Sequence, residues 1–182
     1  MKSLRAILAA LFGVGTAVAQ QPQAPAKSPA EMMKELRLQW LTKRPPTASD
    51  DKKDEIAAVI MDWPLDEATV TVLASSGGDA SIYTTGTFGV MGGIGHEKVR
   101  RAAIAFVECA RKHRALASPT TDFSYPDREA VRFFFVSIDG VKSVSFSAVQ
   151  VEKTGTDAYD LYSQGQMVLT ELRQITQQQR GY

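Results

Sequence analysis

Cysteine is almost missing from this chain. Cys109 is the only one among 182 residues, so no internal disulfide can form and no disulfide framework holds the fold. Histidine is nearly as scarce. His96 and His113 lie 17 positions apart on what reads as one helix, roughly 25 Å at 1.5 Å per residue. They cannot share a metal ion, and no Cys/His cluster is present. The expectation is no metal and no cofactor. An excess of one charge is also lacking, with 21 Lys and Arg against 20 Asp and Glu. Such a balance gives no long-range steering toward nucleic acid or anionic lipid. Finally, no apolar run reaches the roughly 20 residues that span a bilayer.

What the chain does have begins at its first residue. Lys2 and Arg5 form a short basic start, Ile7 to Val18 are apolar or small, and Ala17-Val18-Ala19 gives a small-x-small ending. This is the pattern of a secretory signal peptide. Residues 1–19 are expected to be cleaved, leaving a chain that starts at Gln20. No cysteine follows to carry a lipid. Cleavage removes Lys2 and Arg5, two of 21 basic residues against 20 acidic ones, so the mature chain carries a formal charge of −1. The expected location is periplasmic or extracellular, and the mature protein is not expected to span a membrane.

Residues 20–29, QQPQAPAKSP, cannot build a core and read as a flexible tether. Ser28-Pro29-Ala30-Glu31 is a helix start: a capping serine, a proline in the first turn and a glutamate three positions after the cap. Met33, Leu36 and Trp40 continue it at helical spacing to about Thr42, and Pro45-Pro46 stop it. Residues 30–176 form one α+β domain, and the polar stretch 177–182 is expected to fray.

Within that domain EIAAVIMDW reads as a strand ended by Pro64. ATVTVLAS and ASIYTTG read as a hairpin around Ser76-Gly77-Gly78-Asp79. A helix follows from about His96 to Ala115, with Val99, Ala103, Phe106 and Ala110 on one face. SPTTDFSYPDRE reads as a long loop. VRFFFVSI and VKSVSFSAVQV make a second hairpin around Asp139-Gly140, with broken alternation that allows a bulge. A last helix starts near Thr156-Asp157, with Leu161, Gly165, Val168, Leu172 and Ile175 on one face.

The order helix, three strands, helix, two strands, helix predicts a single antiparallel sheet of about five strands with three packed helices. Phe133, Phe134 and Phe135 make both faces of one strand apolar, so the second face needs cover from the first helix or from another chain. In element order alone this resembles the roadblock or profilin-like domains. No motif is shared, so the resemblance assigns no residue. It implies a scaffolding or dimerising role.

The candidate site is the glycine-rich junction before the second helix. Gly92, Gly93, Gly95 and His96 are its candidate ligand-binding residues, for a small anionic ligand. Glycines leading into a helix let backbone amides converge on an anion. The junction lacks the lysine of a phosphate loop, and its Gly93-Ile94-Gly95 is only a fragment of a dinucleotide fingerprint. A hydrolytic alternative places His96 against Ser75 or Ser76, with Asp62 or Asp79 behind it. That serine pair is not a nucleophile elbow and reads as turn chemistry. Asp62, Asp66 and Glu67 read as solvated charges in a loop around Pro64. Trp63, Tyr83, Phe123 and Tyr125 read as rim residues, and Cys109 as a buried thiol.

The expected function is an exported non-catalytic binding or assembly module, acting as a homodimer or with an envelope protein. The alternative is a small-ligand or hydrolytic site at residues 86–96.

Overall fold

Ser28 opens the first helix as its spacing predicts. In the computed structural model, which describes residues 27–43, 54–86 and 89–180, its side chain accepts from the Glu31 amide. Glu31 answers by accepting from the Ser28 amide at 2.8 Å. This reciprocal cap stabilises α1, Pro29–Thr42, by about 1 kcal/mol. The expected leader at 1–19 and the expected stop signal at Pro45-Pro46 lie outside the described residues.

Among the described residues seven strands then build one antiparallel sheet. They are β1 (Ala58–Leu65), β2 (Ala68–Ser75), β3 (Ala80–Thr84), β4 (Gly89–Val90), β5 (Ser118–Pro119), β6 (Ala130–Ser137) and β7 (Gly140–Ser147). Their spatial order is β4-β3-β2-β1-β6-β7-β5. The α+β class and single antiparallel sheet match expectation. The count differs because β4 and β5 are two-residue edge strands, too short to leave a period in the sequence.

Two boundaries need correcting. Pro64 does not end β1. It pairs with Thr69 of β2, while the ladder to β6 stops at Asp62. Pro64 therefore lies where one side of β1 is open, the setting in which a missing amide costs no ladder bond. The second hairpin carries no bulge, because its register runs unbroken from Ala130↔Ser147 to Ser137↔Gly140. Its final residues leave the sheet. Ser147 caps a short helix, α3 (Ala148–Glu152), through a second reciprocal box with Gln150.

Helices cover both faces. α2 (Glu97–Lys112) and α4 (Asp157–Arg180) lie on one. There Val59, Met61, Val72, Ile82, Phe133 and Phe135 pack against Val99, Phe106, Leu161 and Leu172. Phe106 meets Phe133 edge to face, with ring centroids 6.4 Å apart. α4 runs through Arg180, into the stretch from Gln177 whose polarity predicts fraying. α1 lies on the opposite face, where Leu41 joins Ala58, Ile60, Leu73, Phe134 and Val136. The second face of the Phe133–Phe135 strand is thus covered from within the chain. Among the described residues no helix is long and apolar enough to cross a membrane.

Candidate functional site

The glycine junction divides its residues among different tasks. Gly92 has φ +82, the left-handed backbone that glycine adopts without strain. Residues Gly93–Gly95 make one 3-10 turn. Gly93 is buried for a packing reason: a Cβ there would lie 2.5 Å from Val99 and 2.9 Å from Leu172. Gly95 has open space where a Cβ would go. His96 is not inside the first helical turn. It is the exposed residue before Glu97, with extended backbone, and its imidazole makes no capping bond.

Gly95 and His96 border a shallow groove of about 310 Å³ shared with α4. Glu97 and Glu171 line it as well as Lys98. Two carboxylates beside one lysine oppose the anion that the glycine amides would attract.

The serine-centred arrangement does not assemble. Ser75 is fully buried in the β2–β3 turn, where its hydroxyl accepts from the Asp79 amide at 3.1 Å. The Ser75 amide bonds the Asp79 carbonyl at 2.9 Å. Among the described residues no hydrogen bond joins the His96 side chain to Ser75, Ser76 or Asp79. Asp79 keeps one carboxylate oxygen buried without a partner, and burial pushes its pKa up.

Cys109 is buried on α2. Burial, then the charge of Asp160, pushes its thiol up to about 11, which leaves it poorly nucleophilic at neutral pH. His113 at the far end of α2 lies 3.4 Å from Asp157 and 3.7 Å from Asp160 of α4. Among the described residues no group of three or more His, Cys, Asp or Glu is placed to hold a metal ion.

Asp62 overturns its expected place in a solvated loop. It is fully buried on β1, facing α1, and Arg37 of α1 meets it there. Arg37 Nε donates to both carboxylate oxygens at 3.1 and 3.0 Å, and Nη2 adds a further bond to Oδ2. Thr71 donates its hydroxyl to Asp62 Oδ1 at 2.6 Å. The remaining guanidinium edge donates to the Phe123 carbonyl at 2.9 Å, and the Tyr125 ring lies 4.3 Å from the guanidinium carbon. Burial pushes the Asp62 carboxyl up, against the downward pull of Arg37 and Thr71. The sequence reading misplaced Asp62 and passed over Arg37. The signal was present, since Met33, Arg37 and Leu41 share one helical stripe, while Ala58, Ile60 and Asp62 share one strand face. Phe123 and Tyr125, read as rim residues, are part of this cluster's lid. Tyr83 is buried on the same face. With no opening to solvent, the cluster fastens α1 to the sheet.

A larger opening lies on the other face. Where the ends of β1, β2 and β3 run past α4, a groove of about 460 Å³ remains. Trp63, Val70 and Ile82 supply its sheet side and Leu169 its helix side. Leu65 stands exposed at the rim. Trp63 is held edge to face by Tyr162, with centroids 5.8 Å apart. Gln166, Leu169, Arg173 and Thr176 line the groove from α4 at helical spacing, with Leu169 also part of the core that holds Leu161, Val168 and Leu172. Its size and largely apolar lining suit a small organic ligand. The sequence did not reveal it, because a groove arises from the angle at which α4 leaves the sheet.

No protein-family model matches this chain, and neither does any curated protein or any solved structure.

Proposed function

We propose that this chain is an exported, non-catalytic binding module whose ligand occupies the groove between the outer sheet and α4. The observation that carries this reading is the groove itself, about 460 Å³ with Trp63, Val70, Ile82 and Leu169 around it. The state of the reactive groups supports the non-catalytic part. The Ser75 hydroxyl serves a turn, Asp62 is locked to Arg37, and Cys109 is held protonated. The leader-like segment 1–19 supports export to a periplasmic or extracellular location.

The test is fluorescence titration of the chain with neutral N-phenyl-1-naphthylamine. Saturable binding of one probe per chain, lost in Val70→Asp while the fold persists, is the expected result. A flat titration with the intact chain overturns the reading.

Self-association is a second reading, favoured by one observation. β5 pairs with β7 only at Ser143 and Lys142, so among the described residues no strand covers the outer edge of β7 beyond Ser143. An exposed edge of this kind is a template for a second copy. Light scattering of the chain and of Ser145→Pro tests it. A dimer lost on substitution supports the reading, and a monomeric parent chain rejects it.

A further inference from the structure

The mouth of the groove is open on both sides. Leu65 lines it from the sheet, Arg173 and Gln177 line it from α4, and all three are exposed. A small organic ligand is ordinarily buried over most of its surface. One lying on Trp63, Val70, Ile82 and Leu169 would keep its outer side in water. Leu65 ends β1 and pairs with Ala68 across a tight turn made of Asp66 and Glu67. That turn is an exposed tip, apolar at Leu65 and acidic beyond it. Arg128 neutralises Glu67 at 2.8 Å, which leaves Asp66 as the tip's unpaired charge among the described residues. On the α4 side Arg173 makes no ion pair among the described residues, and no described lining residue is acidic. One surface thus carries an apolar knob and an apolar hole, with acid beside the knob and base beside the hole. Such a pattern is self-complementary. A two-fold axis through the mouth lays the sheet rim of one copy on the α4 rim of the other, and every contact is made twice.

We infer that a second copy of this chain completes the site. The copies dock mouth to mouth, each Leu65 covers the groove of the other, and each Asp66 meets the other's Arg173. This rests on the binding-module reading above, because the cover acts on the ligand beneath it. An apolar opening rimmed by polar side chains is the kind of surface that takes a protein partner, and here the chain itself carries the matching knob. The outer edge of β7 has no part in this contact. The groove opens on β1, β2 and β3, whereas β7 lies beyond β6 on the far side of β1.

Light scattering of the chain over a concentration series, with and without N-phenyl-1-naphthylamine, tests the inference. A monomer–dimer equilibrium that the probe shifts toward dimer is the expected result. Leu65→Ser and Arg173→Gln, both at exposed positions, should each weaken the dimer several-fold and leave the fold intact. Asp66→Asn should do the same, since asparagine tolerates the positive φ found there. Asp66→Asn combined with Arg173→Gln should weaken the dimer no further than either change alone, because both remove the same pair. Ser145→Pro, on β7, should leave this dimer unchanged. A chain that stays monomeric with the probe bound overturns the inference and leaves the binding-module reading standing. A dimer indifferent to the probe, or one lost in Ser145→Pro and kept in Leu65→Ser, also overturns it. Losses that add in the Asp66 and Arg173 double variant overturn the docking geometry. A flat probe titration removes the binding-module reading and this inference with it.

Discussion

Arg37 of α1 and Asp62 of β1, 25 positions apart in the chain, form a fully buried ion pair at the centre of the sheet's α1 face. Thr71, Phe123 and Tyr125 complete its shell. Removing one partner leaves the other charge buried and unpaired, which typically costs about 3–5 kcal/mol. Arg37→Met alone, or Asp62→Leu alone, should therefore lower the urea-unfolding free energy by that order. The double variant should recover a large part of the loss, because an apolar pair needs no compensation. Losses that simply add would show that the two charges are not coupled.

The glycine junction predicts opposite outcomes two residues apart. Gly93→Ala forces a methyl into Val99 and Leu172, and overpacking of this kind costs about 1–3 kcal/mol. Gly95→Ala meets nothing and should be neutral or stabilise by up to about 1 kcal/mol. His96→Ala, at an exposed position without a side-chain bond, should stay within about 0.5 kcal/mol. Thermal melts of the three variants rank them. A Gly95 variant less stable than the Gly93 variant would contradict the packing described.

Cys109 should resist alkylation. With its pKa at about 11, about one thiol in a thousand is ionised at pH 8. Iodoacetamide labelling of the folded chain should run at least about a hundredfold slower than in urea. Comparable rates would mean an exposed or activated thiol.

Asp122 carries a pH dependence of defined sign. The Ser124 amide, then the Ser124 hydroxyl and Arg132, hold its carboxyl far below the usual carboxylate range. A depressed folded pKa contributes stability that is present above the unfolded pKa and lost as pH falls through the folded one. Asp122→Asn should therefore be less stable than the parent chain at neutral pH. The gap should close only in strong acid, below the range where ordinary carboxylates titrate. Equal urea midpoints at neutral pH would contradict this.

The export proposal predicts cleavage after Ala19 and a mature chain beginning at Gln20. Intact mass of the exported product checks the boundary. A product that retains Met1 to Ala19 would remove the export proposal.

Most of the fold was legible because its signals are local. The Ser28–Glu31 box, the valine-rich run at β2 and the apolar stripe from Val99 to Ala110 each identify an element by spacing alone. α3 was missed although Ser147-Ala148-Val149-Gln150 carries a capping box as plain as the first. Its neighbours read as strand, and that period prevailed. The misreading of Asp62 came from weighing residue type above register. An aspartate two residues before a proline looks like loop, yet Ala58 and Ile60 had already assigned its face to the core. The candidate site suffered most. The glycines drew notice as a motif, whereas Trp63 and Leu169 are more than a hundred positions apart and meet, with Val70 and Ile82, only when α4 packs against the sheet. No local pattern records that crossing.

A ligand of the groove sits between the outer sheet and α4 if the proposed function holds. Nitrogen–proton correlation spectra of the labelled mature chain, recorded during titration with N-phenyl-1-naphthylamine, locate it directly. Shifts are expected to concentrate at Trp63, Val70, Ile82, Gln166 and Leu169, including the Trp63 indole, with Gly92 to His96 unmoved. Shifts centred on Gly93, Gly95 and His96 would contradict it.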